Sequence, residues 1–138
     1  MAWAKPKFGS GEINRAGKQL IASDDKSPED WERIFTVINN WRSCHGYPLL
    51  SMRMTLATRA KAIDSRAIIA QRLKRMVSIH VKLIRNHNMA LSQMQDIGGC
   101  RAVMRGVRHV DRLVKAYEDY TSSRPQTGPE FLRKYDYI

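Results

Sequence analysis

Residues 72–85, with the sequence RLKRMVSIHVKLIR, decide the fold of this chain. They join a short β-compatible run at residues 67–74 to a helical pattern at residues 77–85. Arg72 and Lys74 are two positions apart, so on a strand both side chains point to the same face. We therefore expect a strand that leads into a helix and carries two cations on one face.

The helix that follows has its polar residues in one row. Ser78, Lys82 and Arg85 are spaced i, i+4, i+7, which places them on one side of a helix. Directly after a strand, this row and the strand cations converge near the helix N-terminus, where free N–H groups and the helix dipole favour an anion. The pattern is typical of a cradle for a triphosphate. The alternative is a solvated basic face whose aliphatic stems cover apolar neighbours.

A carboxylate opens the next group of candidate site residues. Asp96 precedes a predicted strand at residues 97–104 that contains Gly98 and Gly99, and glycines allow close approach of the backbone. Mg²⁺ is usually bound by one or two carboxylates together with substrate phosphates. Asp96 is therefore a candidate metal ligand, and its alternative role is to cap a turn. Arg101 faces away from Asp96 in an unbroken strand, whereas a bulge at the glycines brings the two together.

The N-terminal part of the chain contains few strong signals before its first long helix. Residues 1–27 are polar and interrupted by proline and glycine, which predicts a mostly irregular arm with one short helix at residues 13–21. Ser27 is a capping residue with an acid three positions later, so a helix starts there. We expect Gly46 and Pro48 to end this helix.

The remaining segments alternate between helical and strand patterns. A second helix is expected at residues 50–65, and a third one is outlined by apolar residues between positions 107 and 117. Residues 122–129 are predicted to form a loop, and residues 131–138 to begin another strand. These patterns make an α+β fold with a helix-rich N-terminal half. The residues predicted to face the core from the second helix are Met52, Leu56, Ala60 and Ile63.

Charge is the most informative property of the composition. The 138 residues include 24 Lys and Arg against 13 Asp and Glu, a net charge of +11, which favours a polyanionic partner such as a nucleotide or a nucleic acid. Two cysteines do not make a disulfide framework. The sequence has neither an apolar run long enough for a membrane span nor a secretory signal, so we expect a cytoplasmic protein without membrane contact.

Both groups of candidate residues resemble one family. The pattern RxKxxxSIxxKxxR at residues 72–85, followed by DIGGCR at residues 96–101, resembles the start of the RelA/SpoT-type alarmone synthetase domain. The segment at residues 5–18 is similar to the lead-in of small single-domain members, and KYDYI at residues 134–138 is similar to the segment before the next motif of the family. The resemblance thus extends over nearly the whole chain.

The resemblance implies both a fold and a reaction. The fold is a partial nucleotidyltransferase-like one, in which helices flank a short mixed sheet, and residues 1–138 form a single incomplete synthetase domain. The reaction transfers the β,γ-pyrophosphate of ATP to the 3′-hydroxyl of GDP or GTP, which makes (p)ppGpp and releases AMP. Mg²⁺ would be bound by Asp96, which would also act in catalysis, and homo-oligomers are common in the family. The residues implied to bind ATP are Arg72, Lys74, Ser78, Lys82 and Arg85.

The sequence departs from the family at its C-terminus. It ends at Ile138, ahead of the Pro-Lys and Gly-Tyr motif and the later glutamate that serve the acceptor site in the family. We therefore expect weak or no alarmone synthesis by these 138 residues alone. Two alternatives remain open: a toxin-like enzyme that pyrophosphorylates the 3′ end of tRNA, and a non-enzymatic basic module that binds nucleic acid or a partner protein.

Overall fold

The computed structural model describes residues 2–124, which form an α+β structure rich in helix. A two-residue link joins the first strand to the fourth helix, and a single-turn 3-10 helix at Leu91–Gln93 precedes the second strand. The described chain divides into two compact units, residues 2–54 with 70–101 and residues 55–69 with 102–124. The helices and strands are α1 (Ser10–Ile21), α2 (Pro28–Cys44), α3 (Gly46–Ile63), β1 (Ile68–Leu73), α4 (Met76–Arg85), β2 (Gly98–Val103) and α5 (Val107–Ser123).

The core of the first unit is built by α1, α2, α4 and the segment that leads to β2. Apolar residues spaced three or four apart on each helix face inward, which is the arrangement that removes one helical stripe from water. Burial of this stripe is the main stabilising contribution in a unit of this size. The buried residues are Ile13, Ala16, Leu20, Ile34, Val37, Ile38, Ile79, Leu83, Leu91, Met94 and Ile97.

Helix α2 begins where the sequence predicts. The backbone N–H of Asp30 donates to Oγ of Ser27 at 3.2 Å, and the backbone N–H of Ser27 donates to Oδ2 of Asp30 at 3.2 Å. This reciprocal capping box, with Pro28 at the first helical position, satisfies donors that a helix start otherwise leaves free. The predicted helix start is confirmed.

The N-terminal half follows the prediction with differences in detail. The predicted short helix is present and starts earlier, as α1 at Ser10–Ile21, and three of its residues lie in the core. Helix α2 ends at Cys44, just before Gly46 as predicted, but α3 begins at Gly46 and not near position 50. Pro48 lies in the first turn of α3, where a backbone N–H has no intrahelical acceptor, so a proline costs nothing there. Met52 was placed in the core, but its side chain is 62% exposed.

The elements after α3 lie close to their predicted positions, but the sheet is simpler than expected. Strands β1 and β2 form a two-stranded antiparallel sheet among the described residues, so the sheet is not mixed there. The backbone N–H of Lys74 donates to the carbonyl of Ile97 at 2.7 Å, which continues the pairing just past the strand ends. Helix α5 extends to Ser123, so the predicted loop begins later than position 122. The predicted strand at residues 131–138 lies outside the described part of the chain.

A buried carboxylate organises the second unit. Asp64, which follows α3, is 1% exposed and accepts three hydrogen bonds: from the backbone N–H of Arg66 at 3.1 Å, the backbone N–H of Arg105 at 2.9 Å and Nε of Arg105 at 2.8 Å. The bond from the Arg105 backbone is the main reason why the pKa of Asp64 is lowered, against the opposing effect of burial. Asp64 thereby ties the turn before β1 to the turn after β2.

Within residues 2–124, the structure contains no helix with the length and apolar character needed to cross a lipid bilayer.

Candidate phosphate-binding site

Lys74 is fixed in place by its own backbone. Its N–H donates to the Ile97 carbonyl at 2.7 Å, and its carbonyl accepts a 2.7 Å hydrogen bond from Nε of Arg42 on α2. The residue is only 9% exposed, which is unusual for lysine. Because both backbone groups are anchored, the direction in which the side chain leaves the end of β1 is set by the fold.

Lys74 and Lys82 meet on one carboxylate. Nζ of Lys74 lies 2.9 Å from Oδ2 of Asp96, and Nζ of Lys82 lies 2.6 Å from Oδ1 of the same residue. Lys74 follows β1, Lys82 lies on the second turn of α4, and Asp96 precedes β2. Both oxygens of Asp96 therefore carry an ammonium donor, although 48% of its side chain is still exposed. The predicted convergence of strand and helix cations is confirmed for these two lysines.

The two ion pairs determine the charge state of Asp96. Partial burial raises its pKa, but the hydrogen bonds from Lys82 and Lys74 outweigh this effect and lower the pKa to about 2. Asp96 is therefore ionised throughout the physiological pH range. The site holds two positive charges and one negative charge before any ligand binds.

Ser78 and Arg85 share a groove with these lysines. The groove is open to solvent, has a volume of about 420 Å³, and is lined by the apolar side chains of Val77 and Val81 as well as by the polar row of α4. Arg75 is the N-cap residue of α4, and its side chain makes no capping hydrogen bond. The cap residue therefore provides no side-chain acceptor for the first backbone N–H groups of the helix. The residues that line the groove are Lys74, Val77, Ser78, Val81, Lys82, Arg85 and Asn86.

Arg72 is not part of this groove. It lines a second, open groove of about 340 Å³ together with Gly99 and Arg101. Arg72 and Lys74 therefore line different grooves, although the pairing of the Lys74 backbone with Ile97 continues just past the end of β1. A Cβ atom at Gly99, which also lines the second groove, would meet nothing within 4 Å.

Arg42 is the residue of this site that the sequence did not reveal. It lies 32 positions before Lys74, on a helix whose apolar stripe points to a purely structural role. Its hydrogen bond goes to a backbone carbonyl, and no side-chain motif encodes such a contact. A charged residue near the C-terminal end of a helix was visible in the sequence, but it has many ordinary roles there.

The site contains one carboxylate to offer to a metal ion. No group of three or more His, Cys, Asp or Glu side chains with metal-binding geometry occurs in residues 2–124. Both oxygens of Asp96 accept from lysine, so the residue fits Mg²⁺ only when phosphate oxygens take over the lysines and supply further ligands. Asp96 thus suits a metal that arrives with a polyphosphate, and it does not form a preformed metal cage.

Comparison of the chain with models of known protein families and with curated proteins finds no match.

Proposed function

We propose that this chain binds the triphosphate of ATP at Lys74, Ser78, Lys82 and Arg85, as part of an enzyme that transfers pyrophosphate from ATP to the 3′-hydroxyl of GDP or GTP. The observation that carries the proposal is the meeting of Lys74 and Lys82, from two different elements, on Asp96. A solvated basic face would not require a buried lysine with an anchored backbone.

The charges of the groove suit this chemistry. In the reaction, the oxygen of the acceptor hydroxyl forms a bond to the β-phosphorus of ATP and its proton is released to solvent, while the bond from that phosphorus to the oxygen bridging it to the α-phosphate breaks and AMP leaves with the electron pair. Negative charge is spread over the phosphate oxygens along this path, and prepositioned cations stabilise it most strongly where water is displaced. Lys74 cannot move far because of its anchored backbone, which lowers the cost of reorganising the site.

Asp96 is the proposed protein ligand of Mg²⁺. Asp96 would bind Mg²⁺ together with phosphate oxygens, and the metal would offset charge on the transferred group. Arg72, in the second groove with Arg101, is proposed to contact a more distant part of the nucleotide than the phosphates held by Lys82.

Binding measured by isothermal titration calorimetry tests the ATP site. With Mg²⁺ present, which would engage Asp96 and free Lys82, we expect Lys82→Met to weaken ATP binding by about tenfold or more, because a charge-assisted hydrogen bond to phosphate is lost. Lys61→Met removes the same charge from an exposed position on α3 and should change the affinity by less than about twofold. Equal effects of the two substitutions would contradict a specific site and would favour the non-enzymatic basic module.

The proposed reaction needs its own assay. The chain is incubated with labelled ATP and either GDP, GTP or tRNA, and pyrophosphorylated products are separated by chromatography. The net charge of +11 is the observation that favours tRNA as the acceptor, since contacts between cations and phosphates dominate binding of a large polyanion. Labelled tRNA with no labelled guanosine product would replace GDP and GTP in the proposal. ATP binding without any product would limit the role of these residues to holding the donor.

A further inference from the structure

We infer that Asp96 acts as an internal anion that occupies the two lysines until a polyphosphate displaces it. This inference rests on the proposed phosphate site and adds a competitive step to it. Nζ of Lys82 lies 2.6 Å from Oδ1 of Asp96 and Nζ of Lys74 lies 2.9 Å from Oδ2, so each lysine already donates to a carboxylate oxygen. A phosphate oxygen that approaches either ammonium competes with that oxygen.

The exposure of the three side chains shows which partner can move. The side chain of Lys74 is 11% exposed and that of Lys82 is 31% exposed, whereas that of Asp96 is 48% exposed. Lys74 is the more enclosed of the two lysines, and Lys82, with nearly three times its exposed fraction, has more room to change rotamer. Displacement therefore turns the carboxylate of Asp96 towards solvent and swings Lys82 towards the groove, while Lys74 stays in position.

Charge complementarity fits a polyphosphate better than a single weak anion. Lys74, Lys82 and Arg85 line the groove with Ser78, and Asp96 neutralises only part of that charge. A ligand with several adjacent phosphate groups can accept hydrogen bonds from both lysines and from Arg85 at once, and so offsets the loss of both ion pairs. The released carboxylate is then left next to phosphate oxygens, and this repulsion is part of the cost of binding when no cation is present.

Competition and simple charge repulsion make different predictions. If Asp96 only repels the ligand through space, its removal tightens binding by the same factor whether or not Lys82 is present. If Asp96 occupies Lys82, the contribution of Lys82 to binding is masked in the unsubstituted chain and is revealed when Asp96 is gone. A double-mutant cycle measures this difference directly.

The cycle uses the whole chain and inorganic tripolyphosphate in buffer that contains EDTA, with dissociation constants from calorimetry. The proteins are the unsubstituted chain, Lys82→Met, Asp96→Asn and the double variant. We expect Asp96→Asn to tighten binding by about fivefold, and Lys82→Met to weaken it by about threefold with Asp96 present but by about tenfold or more with Asn at position 96. Far-ultraviolet circular dichroism and thermal unfolding establish that each variant is folded.

Equal effects of Lys82→Met in both backgrounds, or no tightening by Asp96→Asn, would overturn the inference and leave the phosphate site itself intact. Absence of tripolyphosphate binding by all four proteins would instead contradict the proposed function, and the inference with it. A crystal structure of the unsubstituted chain with tripolyphosphate gives an independent answer if Asp96→Asn does not fold. Lys82 and Asp96 separated beyond hydrogen-bonding distance would support displacement, and a retained ion pair would refute it.

Discussion

Nε of Arg42 donates a 2.7 Å hydrogen bond to the backbone carbonyl of Lys74, and this contact joins helix α2 to the point where β1 turns into α4. The bond connects a helix that otherwise builds the core to the residue that carries the most buried ammonium group of the groove. We therefore propose Arg42 as a positioning residue, because it contacts the backbone of Lys74, which is proposed to bind phosphate, and not the ligand itself.

Arg42→Met should lower both stability and affinity. Loss of a charge-assisted bond to a partly buried carbonyl costs about 1–2 kcal/mol of unfolding free energy. ATP affinity should fall several-fold, because Lys74 is then held by its N–H alone. Urea unfolding and calorimetry measure the two effects. Arg33→Met, on an exposed position of the same helix, serves as the control, and an equal loss of affinity in both variants would argue against positioning by Arg42.

Lys74→Met should weaken ATP binding with little change in the stability of the fold. The methionine retains most of the aliphatic stem, and Asp96 is half exposed and keeps Lys82 as a partner, so we expect the unfolding free energy to change by less than about 1 kcal/mol. With Mg²⁺ present, ATP binding should weaken by about tenfold or more, since a prepositioned cation is lost. Thermal unfolding and calorimetry on the same preparation give both values. A large loss of stability would mean that Lys74 is retained for folding and not for the ligand.

The low pKa of Asp96 predicts a contribution to acid stability with a definite sign. Its pKa of about 2 lies below the usual aspartate value of about 3.9, so the two ion pairs stabilise the folded state above about pH 4. That contribution disappears as the pH falls from 4 towards 2, and it is modest because the carboxylate is half exposed. Asp96→Asn should therefore be less stable than the unsubstituted chain at pH 6 and differ little from it at pH 2. Asp111→Asn, at an exposed position on α5, serves as the matched loss of one carboxylate, and thermal unfolding of both variants at pH 6 and pH 2 measures the difference.

Two glycines of α1 should respond in opposite directions to alanine. A Cβ atom at Gly17 would lie 2.7 Å from Cβ of Leu91, which cannot move without shifting the backbone of the 3-10 helix. Gly17→Ala should therefore destabilise the fold by about 1–3 kcal/mol through overpacking. At Gly11 nothing lies within 4 Å of the added atom, so Gly11→Ala should stabilise by up to about 1 kcal/mol through the better helix propensity of alanine. Chemical unfolding of both variants tests whether α1 is packed into the core as described.

Local patterns were sufficient for most of the site-bearing elements. The start of α2 could be predicted because Ser27 and Asp30 are a local capping pair, and α4 because its apolar and polar rows are continuous. The convergence of Lys74 and Lys82 also followed from spacing, since the strand leads into the helix after two residues. The acid that they share could not be derived as their direct partner, because that contact spans 22 positions for Lys74 and 14 for Lys82.

The features that the sequence did not predict depend on packing between distant segments. The short N-terminal helix was predicted, but its place in the core was not, because it depends on the close approach of Gly17 and Leu91, 74 positions apart. The separation of Arg72 and Lys74 into two grooves was also not predicted, since each groove is completed by residues from other segments. A contact between remote segments is not encoded in local periodicity.

The side-chain amide of Asn40 also affects how freely the N-terminal segment can vary. Oδ1 of Asn40 accepts from the backbone N–H of Lys7 at 3.0 Å, and Nδ2 donates to the backbone carbonyl of Lys5 at 3.0 Å. One carboxamide therefore makes two hydrogen bonds to the main chain of the segment, as an adjacent β-strand would, and does not contact either lysine side chain through them. Substitutions at positions 5 and 7 should be tolerated, whereas aspartate at position 40 would lose the N–H donor to the Lys5 carbonyl. The path of the first residues is thus determined by a side chain of the later helix α2.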